Sequence, residues 1–198
     1  MILPNQLTIL RIILTPIFLY LFLSSNPLLN QISLAVFIVA ALTDWYDGWL
    51  ARKFNYITNW GKFWDPLADK ILTSTAFVGF YIIGMIPLWM VIIILVRDFV
   101  ITILRAYADY KGNTFPTSLY AKWKTFLQMI FLYYLLIIRT CEKIPQLYNG
   151  NENIFKMLFD PTLIFIIMLF VTIITLHSGI TYIYNNKNLI KRLFIDQN

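Results

Sequence analysis

Charge is scarce in this sequence. Of its 198 residues only 13% are Asp, Glu, Lys or Arg, and 59% are hydrophobic. An ordinary soluble domain carries about a quarter charged residues and about half apolar ones. Cysteine occurs once, at Cys141, so no disulfide can form within the chain, and one thiol gives no sign of metal or redox chemistry. Histidine also occurs once, at His177, in an apolar stretch. The ordinary reading of such a residue is a polar group satisfied between helices; a proton relay is the alternative. No internal repeat or low-complexity segment is present. A cleavable leader is not expected: the start carries one charge and no small-residue cleavage site, and Pro16 interrupts its apolar run. These shortages argue for an all-α polytopic membrane protein, with residues 1–198 expected to form one membrane domain.

The net charge of +6 needs a partner or a topology to explain it. In a chain this apolar it is better explained by the cytoplasmic bias of lysine and arginine than by nucleic acid, and no nucleic-acid partner is expected. Apolar periodicity and turn signals predict about six spanning helices, over residues 7–24, 31–53, 66–83, 87–110, 119–139 and 161–184. Pro27, Gly84 and Pro87 mark short uncharged turns, 111–118 a polar loop, and 140–160 a longer mixed loop containing the run NGNEN. Asp65-Pro66 reads as an N-cap followed by proline at the first helical position. The basic tail after residue 184 is expected to be partly helical. Of the sixteen lysines and arginines, twelve fall on one side of this arrangement: Arg11, Arg52, Lys53, Lys62, Lys70, Arg105, Lys111, Lys122, Lys124, Lys187, Lys191 and Arg192. Only Arg139, Lys143 and Lys156 fall on the other, and Arg97 lies within a span. Both termini are therefore expected in the cytoplasm.

Against this apolar background one stretch stands out, DWYDGWLARKFNYITNWGKFWDPLAD, from Asp44 to Asp69. Asp44, Asp47, Gly48, Ala51 and Arg52 sit at helical offsets 0, 3, 4, 7 and 8, a single stripe. Gly61, Asp65 and Asp69 form a second stripe if their segment is helical throughout. A carboxylate at bilayer depth costs roughly 3 kcal/mol, so a purely structural role is a poor reason to keep four of them. Two helices facing each other across this loop bring four acids together, and clustered anions require cations. Ligands that are all oxygen select hard ions such as magnesium, manganese or calcium.

The pattern D-x2-D-G-x2-A-R, eight spacer residues, then G-x3-D-x3-D resembles the signature of the CDP-alcohol phosphatidyltransferases, with every signature residue present. The resemblance implies a phosphoryl transfer: an alcohol attacks the lipid-linked phosphate of CDP-diacylglycerol and CMP leaves. It implies Mg2+ or Mn2+, as two ions about 4 Å apart clamping the attacking and leaving oxygens. Asp44, Asp47 and Asp65 are then the expected metal ligands, and Asp69 the general base that also touches the second metal. Gly48, Ala51 and Gly61 would leave room for the CDP-lipid, and Arg52 would fork onto its phosphate. Read alone, the small residues equally suit close helix packing, and Arg52 a charge anchor at the membrane face.

The stretches LPNQLTILRIILTP, IPLWMVIIILVRDFVITILR and SLYAKWKTFLQM resemble the branch of that family whose acceptor is sn-glycerol 3-phosphate; Ala121 departs from it, where glycine is usual. A dianionic acceptor needs cations beside the metals, and Arg105, Lys122 and Lys124 are the candidates, with Ser118 and Thr125 as hydrogen-bond donors. Lys122 and Lys124 are two apart and cannot share a face; Lys124 is the one expected to point inward. Arg97 and Asp98 are expected to find partners on other helices. The family further implies a homodimer, and the lysine and arginine count places the Asp44–Asp69 loop, with both termini, on the cytoplasmic side of a cell (inner) membrane. A sister enzyme making cardiolipin, phosphatidylinositol phosphate or phosphatidylserine is the alternative. A carboxylate-based transporter is less suited, because its ionisable groups belong near the midplane rather than at one membrane face.

Overall fold

The computed structural model describes residues 3–54, 59–111 and 119–195. Six long helices carry the architecture: α1 (Leu3–Phe22), α2 (Pro27–Phe54), α3 (Asn59–Ile82), α4 (Leu88–Tyr110), α5 (Leu119–Glu142) and α8 (Pro161–Asn185). Two short helices, α6 (Pro145–Tyr148) and α7 (Glu152–Leu158), occupy the stretch expected to be a mixed loop, and α9 (Lys187–Ile195) follows α8. No strand occurs among the described residues. By length and composition Pro27–Asp44, Leu119–Glu142 and the stretch Glu152–Asn185 can cross a membrane, and Gln6–Phe22 is a shorter apolar helix. The helices α3 and α4 are long enough, but Asp65, Asp69 and Lys70 in one and Arg97, Asp98 and Arg105 in the other dilute their apolar character.

Local chemistry sets the helix ends. Asn26 caps α2: its Oδ1 accepts from the Leu28 amide at 2.9 Å, and Pro27 is the first helical residue. At the other end of that turn Asn30 Nδ2 donates to the Phe22 carbonyl at 2.8 Å, tying α2 back onto α1. Asp160 caps α8 in the same way, accepting from the Leu163 amide at 2.9 Å ahead of Pro161. Between α3 and α4, Gly84 adopts φ +77°, and the Gly84 and Met85 amides close onto the Tyr81 and Phe80 carbonyls at 2.9 and 3.0 Å. A side chain with a Cβ is strained in that left-handed conformation.

Asp65-Pro66 is not a helix start. The helix α3 begins at Asn59 and carries Pro66 inside it. The proline costs one backbone hydrogen bond, but the turns on both sides supply the rest, and membrane helices tolerate the loss where neighbours pack around it. The consequence is useful: Gly61, Asp65 and Asp69 now lie on one continuous helix, in a single stripe.

The core sits where α1, α2, α3, α4, α5 and α8 meet, with Phe18, Phe37, Phe77 and Phe80 fully buried. Phe22 packs edge-on to Phe80 with ring centroids 5.0 Å apart. Gly79 of α3 lies against this cluster, and a Cβ placed there would stand 3.0 Å from Phe22 Cδ1. A helical Gly→Ala gain of about 1 kcal/mol is therefore offset by an overpacking cost of about 1–3 kcal/mol. Gly79→Ala is expected to be close to neutral, whereas Gly79→Leu should lower the unfolding temperature in detergent by several degrees.

Candidate functional site

The acids of the Asp44–Asp69 stretch are met by α1. Arg11 is fully buried, and its Nη1 lies 2.7 Å from Asp44 Oδ1 and 3.5 Å from the Asp65 carbonyl. The Thr8 hydroxyl donates to Asp65 Oδ1. One turn of α1 thus touches both acidic stripes. Arg11 Nε and Nη2 are buried with no partner among the described residues. The Asp44 side chain keeps 43% of its surface exposed, and Asp65 and Asp69 both lie within electrostatic reach of it. Sequence reasoning counted Arg11 only as a topology charge. A signal was there: Thr8 and Arg11 are three apart, and a lone arginine in an apolar helix demands a partner on another helix.

Gly61 is buried on the α3 stripe. The side chains of Asp47, Gly48, Ala51 and Arg52 lie outside the described residues, although their backbone continues α2; Ser118 lies outside them altogether.

Asp69 opens onto a cavity of about 600 Å³ between α3, α4 and α5. Lys70, Arg97, Arg105 and Lys122 line it together with Asp109 and Thr125. Two of the three cations nominated for an acceptor phosphate, Arg105 and Lys122, are therefore on its wall. Arg105 Nη2 is buried and has no partner among the described residues.

Lys124 is placed differently from the expectation. It turns into the helix bundle, fully buried, with its ammonium 2.5 Å from Asp98 Oδ1. Gln128 Nε2 donates to Asp98 Oδ2 at 3.2 Å and Arg97 Nη1 to Asp98 Oδ1 at 3.0 Å. Arg97 Nη2 continues to Ser178 Oγ on α8 at 2.7 Å. The two-residue spacing does split Lys122 from Lys124, but a buried carboxylate on α4 claims Lys124, so Lys122 is left for the cavity. Arg97 and Asp98 find partners on α8 and α5 as expected, and they also touch each other. His177 meets the Tyr120 hydroxyl at 3.0 Å across α8 and α5, a polar pair between helices.

The chain matches the model of the CDP-alcohol phosphatidyltransferase family over residues 1–186. It belongs to that family. Among curated relatives, it is 40% identical over 147 residues to the CDP-diacylglycerol–glycerol-3-phosphate 3-phosphatidyltransferase of Bacillus subtilis, covering 68% of this chain and 76% of the relative. It is 34% identical over 176 residues to the protein of the same name from Rickettsia bellii, covering 89% and 92%. It is 37% identical over 131 residues to a probable phosphatidylglycerophosphate synthase of Mycobacterium tuberculosis, covering 65% and 62%.

The donor chemistry of this phosphatidyltransferase stretch fits a hard divalent cation, being carboxylate throughout. Among the described residues no three such side chains converge into a metal centre by themselves. Asp47 is the fourth acid, and Arg11 supplies the one cation seen against Asp44.

Removing one member of a buried ion pair leaves an uncompensated charge and costs on the order of 3 kcal/mol. Lys124→Met is therefore expected to lower the unfolding temperature and to depress turnover with both substrates alike. Adding Asp98→Asn should restore much of the stability. A selective rise in the Michaelis constant for one substrate, at unchanged stability, would return Lys124 to the cavity.

Proposed function

We propose that the chain transfers a phosphatidyl group from CDP-diacylglycerol to sn-glycerol 3-phosphate, giving phosphatidylglycerophosphate and CMP. The observation that carries the reading is the basic cavity that Asp69 shares with Arg105 and Lys122. An acceptor that brings its own phosphate needs cations within reach of the base, and this wall provides them. The relatives carrying the same activity in their names support the choice of acceptor over the cardiolipin, inositol-phosphate and serine branches.

In this reading Asp69 accepts the proton of the attacking hydroxyl. The hydroxyl oxygen forms the new bond to the lipid-linked phosphorus, and the bond to the CMP oxygen breaks. Asp44, Asp47, Asp65 and Asp69 would hold two divalent cations, Mg2+ or Mn2+, which when bound neutralise the diphosphate and polarise the phosphorus under attack. Arg11 holds Asp44 from behind, as outer partners of metal-binding carboxylates do. Gly48, Ala51 and Gly61 give the CDP-lipid room, and Arg52 takes its phosphate. The chain acts as one membrane domain of six spans in the cell membrane, with both termini and the acidic corner cytoplasmic, and pairs as a homodimer.

CMP release from CDP-diacylglycerol in detergent tests the reading directly. Glycerol 3-phosphate should support release and free glycerol should not; a better rate with inositol phosphate or phosphatidylglycerol would move the chain to a sister branch. Full activity in EDTA would remove the cations from the reaction. A charge-assisted contact is worth roughly 1.5–3 kcal/mol, so Arg105→Ala should raise the Michaelis constant for glycerol 3-phosphate about tenfold to a hundredfold. That for CDP-diacylglycerol should stay within about twofold.

A further inference from the structure

Arg105 has a rival for its charge. Asp109 lies one turn further along α4, at the i,i+4 spacing that favours an ion pair, and lines the same cavity. Yet Arg105 forms no ion pair with any described residue. Its Nε donates to the Tyr182 hydroxyl at 3.2 Å, and its guanidinium carbon stands 5.0 Å from the centre of the Tyr182 ring. These are two distinct holds, one on the edge of the guanidinium and one on its face.

Tyr182 is itself fixed. It is 5% exposed and packs with Ile101 and Ala108 of α4, while Leu189 and Ile190 of α9 close over the same cluster. Its backbone carbonyl accepts from Asn186 Nδ2 at 2.8 Å at the end of α8. A long flexible side chain is thereby held by a rigid one. The hold consumes Nε, and Nη2 is buried without a hydrogen-bond partner among the described residues, while Arg105 as a whole lines the cavity. A buried N–H in that state is costly until an acceptor reaches it.

We propose that Tyr182 is a positioning residue: by its hydroxyl and ring it holds the Arg105 guanidinium toward the cavity beside Asp69, and so sets the affinity for a phosphate-bearing acceptor. The inference rests on the reading of that cavity as the acceptor site. Tyr182 is not among the residues lining the cavity, so it would act on the acceptor through Arg105. The helix α9 enters the site by the same route, since Leu189 and Ile190 keep the tyrosine in place.

Tyr182→Phe keeps the ring and removes the hydroxyl, so folding should be retained and the unfolding temperature should fall by no more than a few degrees. The Michaelis constant for glycerol 3-phosphate should rise about three- to tenfold, with kcat and the constant for CDP-diacylglycerol nearly unchanged. In an Arg105→Ala background the same change should add nothing, because the two residues act as one unit. Protection of the purified protein against heat by glycerol 3-phosphate should weaken in step, a readout independent of turnover. An unaltered acceptor constant in Tyr182→Phe overturns the proposal, as does a rise of equal size in both backgrounds. If Arg105→Ala itself leaves the acceptor constant alone, the cavity reading fails; if only Tyr182→Phe does so, the cavity stands and the tyrosine merely packs.

Discussion

A charge carried on an apolar helix has to be met by a group on another helix. Each intramembrane charge costs roughly 3 kcal/mol on insertion scales, and a broken buried pair costs about as much again. Among the described residues, two clusters meet that requirement with ion pairs between helices. Arg11 of α1 meets Asp44 of α2 and the Asp65 carbonyl of α3. Asp98 of α4 meets Lys124 and Gln128 of α5, and its neighbour Arg97 meets Ser178 of α8. Apolar packing is non-directional and would accept many rotations of these helices; the two polar clusters accept few.

The second cluster determines what the cavity contains. Arg97, Ile101 and Arg105 recur every four residues and form one stripe of α4, which lines the cavity. Asp98 is rotated about 100° from that stripe and faces α5. Anchoring Asp98 to Lys124 therefore turns the 97–101–105 stripe toward Asp69. The same anchor turns Lys122, about 200° round α5 from Lys124, to the other side of that helix, where it reaches the cavity rim. The buried pair and the basic wall are two consequences of one helix rotation.

This also explains what could be read from the sequence. Spacing within a helix is local, so the two acidic stripes, the six long helices and the basic stretches of α4 and α5 were legible. Rotation between helices is not local. Nothing in α5 alone says which of Lys122 and Lys124 faces the cavity; the answer lies in Asp98, twenty-six residues away. The partnership of Thr8 and Arg11 with the acids was hidden for the same reason, as was that of Tyr182 with Arg105. Pro66 misled in the opposite sense: a strong local signal for a helix start gave way to a helix already begun at Asn59.

The place of Arg11 bears on how the acidic corner exists at all. Asp65 and Asp69 both lie within electrostatic reach of Asp44, and the described cations paired with these acids are Arg11, on Asp44, and Lys70, whose ammonium stands 3.6 Å from Asp69 Oδ2. Two positive charges do not balance three negative ones, so the corner remains anionic and continues to attract cations. Arg11 is nevertheless fully buried and engages Oδ1 of Asp44, while 43% of that side chain stays open. An arginine that filled the corner would compete with any incoming ion. One that grips a single oxygen from the bundle side leaves the other oxygen and the open face available. It also fixes the carboxylate's orientation before an ion arrives, and orientation is what an outer partner contributes to a metal ligand. The proposed divalent site is thus compatible with a buried arginine because the arginine approaches from α1, and the ions would approach from the open side.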